Sequence, residues 1–123
     1  MPENREHHHS PLNRKIQWEK FFPKLEGEGL NPISPMNQLV KIMEELGELS
    51  TLTGIFTGDH GERKQNDYSD RQALAEKVVA ESMDVIQASM NLIYYFRDKE
   101  GIEIDPIFRD HLRKMKERRY LKE

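Results

Sequence analysis

The chain has 123 residues, one domain's length, with 19 basic against 22 acidic residues and a formal net charge of −3. That balance argues against a nucleic-acid-binding surface, which needs a basic excess, and the absence of cysteine excludes disulfides, thiolate zinc sites and cysteine nucleophiles. Charged residues reach 33% and hydrophobic types only 36%, so a partner subunit is expected to complete the core. No apolar run approaches the roughly 18 residues that would span a bilayer, and the polar N-terminus is unlike a signal peptide. The expectation is a soluble, cytoplasmic domain without a membrane or nucleic-acid partner.

Residues 1–11 have no periodicity and are expected to form a disordered arm, whose tract His7 to His9 has a surface-tail reading beside a metal-binding one. The remainder, 12–123, is expected to be one helical domain. Leu12, Ile16, Trp18, Phe21 and Phe22 suggest a short amphipathic helix ended by Pro23, followed by a loop with glycines and prolines to Pro35. Ser34-Pro35 is a strong helix start, since serine caps free N–H groups and proline suits the first helical position. From there Leu39, Ile42, Met43, Leu46 and Leu49 recur at helical spacing, and Gly58 is a plausible stop. A polar loop covers 58–68.

A second long helix is expected from Ser69, with Gln72 as capping-box partner, to Lys99 before Gly101. Its apolar positions, from Leu74 through Val78, Met83, Ile86 and Met90 to Phe96, cover about half the circumference, more than the roughly 100° a surface helix needs. Burial on two sides follows, by its own bundle and by another subunit. Asp105-Pro106 begins a last helix, with Ile107, Phe108, Leu112 and Met115 inside and a basic end at Lys114 to Arg119. No strand pattern occurs, so the fold class is all-α.

Six acidic pairs stand at i, i+3: Glu3/Glu6, Glu45/Glu48, Asp59/Glu62, Asp67/Asp70, Glu81/Asp84 and Glu100/Glu103. Only Glu45/Glu48 and Glu81/Asp84 lie mid-helix between apolar residues. Glu81 projects within about 20° of Leu74 and about 40° of Val85 at 100° per residue, so its carboxylate is expected to lose water and to be costly unless paired or protonated. Gln38, Lys41, Glu45, Glu48 and Leu52 form a similar stripe on the first helix. Two antiparallel helices facing through these stripes would gather four carboxylates, and hard oxygen ligands suit Mg²⁺ or Mn²⁺. The alternative is two solvated faces carrying ordinary acids.

Two segments, QLVKIMEELGEL (Gln38 to Leu49) and AESMDVIQASMNLI (Ala80 to Ile93), resemble the MazG-like, all-α nucleoside triphosphate pyrophosphohydrolases. That family's pattern is EExxE followed on a later helix by ExxD, with an asparagine seven residues past the aspartate, here Asn91. KMKERRY (Lys114 to Tyr120) is similar to its closing basic segment, so the resemblance covers roughly residues 34–120. The 32 residues between Glu48 and Glu81 exceed the family's usual spacing. The resemblance implies that Glu45, Glu48, Glu81 and Asp84 ligate Mg²⁺, that Glu44 supports them or takes part in water activation, and that Asn91, Lys114 and Arg118 meet the phosphates. The implied reaction is hydrolysis between the α- and β-phosphates, giving monophosphate and pyrophosphate.

The chemistry asks for such residues independently. A triphosphate repels nucleophiles until a cation neutralises it, and a neighbouring carboxylate can take the proton of the attacking water. Lysine and arginine suit a leaving pyrophosphate, though Lys114 and Arg118 also suit a helix C-terminus for electrostatic reasons alone. No GxxxxGK[ST] loop is present. Gln38 and Trp18 are candidates to touch the base, against a solvent-facing residue and a packing anchor respectively. The expected architecture is a helical hairpin pairing with a copy of itself into a four-helix bundle across the subunit interface, as a dimer or tetramer. Rival readings are a dUTP-type or phosphoribosyl-ATP-type relative of the same superfamily, and a non-catalytic helical interaction module.

Overall fold

A computed structural model describes residues 14–25, 34–58 and 71–121. Residues 1–11 with the histidine tract, most of the 58–68 loop, the Ser69 cap and the acidic pairs Glu3/Glu6, Asp59/Glu62 and Asp67/Asp70 lie outside the described residues. Among the described residues three α-helices follow one another: α1 (Pro35–Thr57), α2 (Arg71–Glu100) and α3 (Ile104–Glu117). No strand occurs among the described residues.

The ends of α1 are set by local chemistry. The Ser34 hydroxyl accepts from the Asn37 backbone N–H, Pro35 occupies the first turn, and Gly58 closes the helix at φ 88°, a left-handed conformation that glycine adopts without a Cβ clash. α2 ends in the same manner. Gly101 at φ 70° donates its N–H to the Arg97 carbonyl, and Ile102 donates to Phe96. The turn leads directly into α3.

α1 and α2 form an antiparallel hairpin, and they are the helices packed along their lengths. At the closed end Leu52 and Ile55 of α1 meet Leu74 of α2, with Phe56 and Val78 against them. Burying each aliphatic side chain contributes about 1.5–3 kcal/mol. The Arg71 guanidinium lies 4.0 Å from the Phe56 ring centroid and covers this end.

The expected apolar stripe of α1 is corrected here. Leu39, Met43 and Leu46 face outward, Met43 being 62% exposed, while Gln38 and Glu45 take the inner positions beside Leu52 and Ile55. On α2 the outer positions Val79, Met83, Ile86, Ile93 and Phe96 are likewise exposed. α3 is strongly amphipathic, yet none of its residues is buried: Ile107, expected inside, is 60% exposed, and Phe108, Leu112 and Met115 are half-buried.

The expected N-terminal helix is also corrected. Among the described residues it is only a 3-10 turn, Trp18–Lys20, within a strap of extended chain. The strap docks by distant polar contacts rather than by helical ones. Asp105 of α3 accepts from the Ile16 backbone N–H at 2.8 Å and from the Trp18 indole N–H at 2.7 Å. Arg97 donates to Glu19, the Tyr94 hydroxyl to the Phe22 carbonyl at 2.5 Å, and Gln87 to the Pro23 carbonyl at 2.9 Å. Lys24 pairs with Asp98 at 2.8 Å. Tyr94, 1% exposed, lies under both the strap and the Arg97 guanidinium.

Candidate metal centre

Antiparallel packing sets the register of the acids. With Leu52 opposite Leu74, the chain positions two turns back on α1 and two turns on along α2 carry Glu45 and Glu81. Carboxylate oxygens of Glu45, Glu81 and Asp84 come within 4.8 Å of one another, Glu45 buried, Glu81 half-buried and Asp84 exposed. One helix supplies the first and the other the remaining two, whose i, i+3 spacing puts both on one face. The group therefore sits at the seam between helices, open on one side.

Glu81 carries the tension of the site. Its Oε2 is sealed from solvent and has no hydrogen-bond partner. Burial raises the pKa of its carboxyl above the usual 4.5, and the like charges of Glu48, Asp84 and Glu45 push in the same direction. Glu48 stands outside the tight group of three but near enough to contribute this repulsion. It lines a shallow hollow with Glu44, Gly47, Thr51, Lys77 and Glu81. The four aligned acids are thus all at the seam, three of them close enough to share one cation.

Lys41 was not singled out from the sequence as a site residue. Its ammonium lies 3.2 Å from Glu45, one helical turn away, and the hydrogen bond to Glu45 followed by that carboxylate's charge raises the lysine pKa. The i, i+4 spacing of Lys41 and Glu45 is the signal that would have found it. Gln38, two turns before Glu45 on the same inner face, is 7% exposed, and its Oε1 has no partner.

Other expected residues are placed elsewhere or already engaged. Asn91 lies two turns beyond Asp84 along α2, and its Oδ1 accepts from Gln87 at 3.1 Å. Lys114 pairs with Asp110 at 3.2 Å within α3, and Arg118 closes that helix by donating its backbone N–H to the Lys114 carbonyl. Neither basic residue lines the hollow beside the acids. The Trp18 indole donates to Asp105 and stands edge-on to Phe108 at 4.9 Å, the contacts of a packing anchor on α3.

The donor set fits a hard divalent cation. Three carboxylates from two rigid helices, one with a sealed and unpartnered oxygen, are the oxygen-only ligands that Mg²⁺ and Mn²⁺ favour. Lys41 offsets part of the negative charge on one side only. Compared with known proteins, the chain matches no protein-family model, no curated protein and no solved structure. No helix among the described residues is long and apolar enough to cross a membrane.

Proposed function

We propose that the protein is a Mg²⁺-dependent nucleoside triphosphate pyrophosphohydrolase, with Mn²⁺ as an alternative metal, cleaving between the α- and β-phosphates to yield monophosphate and pyrophosphate. The observation that carries this reading is the convergence of Glu45, Glu81 and Asp84 at the α1–α2 seam, together with the unpartnered Oε2 of Glu81. These acids with Glu48 would hold the metal. A cation there would supply charge neutralisation for a triphosphate and a lower barrier to attack by water. The resemblance of Gln38–Leu49 and Ala80–Ile93 to the MazG-like enzymes supplies the choice of reaction.

In this reading Glu44, on the rim of the hollow, takes a proton from the attacking water or supports the ligands, and Asn91 donates to a phosphate. Lys114, paired with Asp110, and Arg118 do not line the hollow, and they would reach the phosphates by a shift of α3 or from a second copy of the chain. The outward apolar stripes of α1 and α2 support a homo-oligomer in which two hairpins form a four-helix bundle. A cytoplasmic location is part of the same proposal.

The test is incubation with a panel of NTPs and dNTPs plus Mg²⁺, with the products resolved by chromatography. Monophosphate and pyrophosphate, lost on chelation and in Glu81→Gln, is the expected result. Diphosphate with orthophosphate would show that a different bond is cut. No turnover together with no Mg²⁺-induced rise in melting temperature would favour a helical interaction module, for which the exposed stripes provide the surface.

A further inference from the structure

A chain of hydrogen bonds runs from the strap to α2 and ends at Asn91. Gln87 Nε2 donates to the Pro23 carbonyl at 2.9 Å and to Asn91 Oδ1 at 3.1 Å. The direction of each bond follows from elementary chemistry. A backbone carbonyl only accepts, so Gln87 must turn its NH₂ toward Pro23. The second hydrogen of that NH₂ then needs an acceptor, and Asn91 must offer its oxygen. What remains of the Asn91 amide is its NH₂, for which no described residue is an acceptor.

We infer that Gln87 is a positioning residue that fixes the Asn91 amide with its donor end outward, using the strap carbonyl at Pro23 as the fixed reference. This rests on the proposed reading of the site, in which Asn91 meets a phosphate. Phosphate oxygens at neutral pH accept hydrogen bonds. An asparagine facing them nitrogen-first attracts them, and one facing them oxygen-first repels them. An isolated asparagine on a helix surface interconverts between the two by a half-turn of its amide. Here the strap removes that freedom before the ligand arrives, so the donor orientation costs nothing further on binding. Asn91 stands two turns, about 10 Å, beyond Asp84 on the same stripe of α2. A phosphate chain whose cation is held at the acids would extend along α2 toward it.

The experiment uses the full chain and two substitutions at position 87. Gln87→Glu keeps the length of the side chain but cannot donate to Pro23; it accepts instead from Asn91 and turns that amide oxygen-outward. Gln87→Leu releases Asn91 without inverting it. Inorganic pyrophosphate with Mg²⁺ is titrated while the Asn91 side-chain amide is followed by NMR, and steady-state turnover of the best nucleotide triphosphate is measured in parallel. For Gln87→Glu the half-saturating pyrophosphate concentration and KM should rise about 10- to 100-fold with kcat changed far less, the range expected for losing one hydrogen bond to a charged group. Gln87→Leu should fall between this and the native protein.

The new carboxylate in Gln87→Glu also repels phosphate directly, and a double-mutant cycle with Asn91→Ala separates the two effects. If Gln87 acts through Asn91, most of the Gln87→Glu effect disappears in the Asn91→Ala background. Additive effects, or both Gln87 variants within twofold of native, overturn the inference while native turnover leaves the reaction standing. Absence of native turnover with pyrophosphate binding that still depends on Gln87 overturns the reaction and keeps the inference. Absence of both turnover and any shift of the Asn91 amide overturns the two together.

Discussion

Removing one oxygen atom, in Tyr94→Phe, tests how the strap is held. The ring is 1% exposed and its hydroxyl donates to the Phe22 carbonyl at 2.5 Å, so the substitution leaves the ring packed and strands the carbonyl. An unsatisfied buried acceptor costs about 1–3 kcal/mol, and because this one is only partly covered, the lower half of that range, about 1–2 kcal/mol, is expected. In a domain of this size that lowers the melting temperature by about 4–12 °C. The pH dependence carries a second signature. Burial raises the Tyr94 phenol above its ordinary 10.0, with the nearby Glu19 charge acting in the same direction. A raised pKa means that the contribution is whole below pH 10 and is lost as pH climbs through the folded value. The difference between native and Tyr94→Phe should therefore shrink above pH 10. The assay is urea unfolding followed by circular dichroism and by fluorescence of Trp18, which lies in the strap. Loosening of the strap alone would bring the fluorescence change before the loss of helix. A difference under about 0.5 kcal/mol at pH 7, or one that stays constant to pH 11, would refute the argument.

Four further outcomes follow from the structure. For Glu81 the raised pKa means that stability is full below pH 4.5 and falls as the carboxyl ionises, so metal-free Glu81→Gln should melt above the native protein at pH 7 and converge with it toward pH 4. Mg²⁺ at about tenfold its Kd should stabilise the native protein by about 1.4 kcal/mol and leave Glu81→Gln unmoved, which differential scanning fluorimetry resolves. Asp98, held down to about 2 by hydrogen bonds from Arg97 and then Lys24, contributes stability above pH 3.8 that disappears as pH falls through 2. Asp98→Asn should cost about 0.5–1 kcal/mol at pH 7, since water screens these partly exposed groups, and nothing once the pH is well below 2. Gly47 stands mid-helix with nothing within 4 Å of where a Cβ would be, so Gly47→Ala should raise chemical stability by about 0.5–1 kcal/mol.

What the sequence discloses is mostly what neighbours in the chain decide. The Ser34 cap, Pro35, the Gly58 and Gly101 stops and the pairing of Glu81 with Asp84 on one face are settled within a few residues, and the structure has them all. The docking of Trp18 and Ile16 is hidden from the sequence because their partner, Asp105, is 87 and 89 positions away. An apolar run at helical spacing looks the same whether it folds on itself or lies across another helix. The stripe of α1 misled for a different reason. Leu39, Met43 and Leu46 obey helical spacing, but it is the polar Gln38 and Glu45 that face α2. Ranking faces by apolarity inverts inside and outside where a protein spends its interior on charged groups. The same inversion puts Glu45 in the interior and supports the proposed site over a solvated surface.

The strap also dictates an order of events during synthesis. Its partners Gln87, Tyr94, Arg97, Asp98 and Asp105 all emerge from the ribosome more than sixty residues after the segments they hold. At roughly 5–20 residues per second, Trp18 and Phe22 wait several seconds with no place to dock. The closed end of the α1–α2 hairpin, Leu52, Ile55 and Leu74, can form in that interval because its contacts need nothing upstream and nothing beyond Val78. Closing the strap is then the late, long-range step, slowed by the separation of its ends. The nascent chain consequently closes the end of its hairpin before the strap can dock.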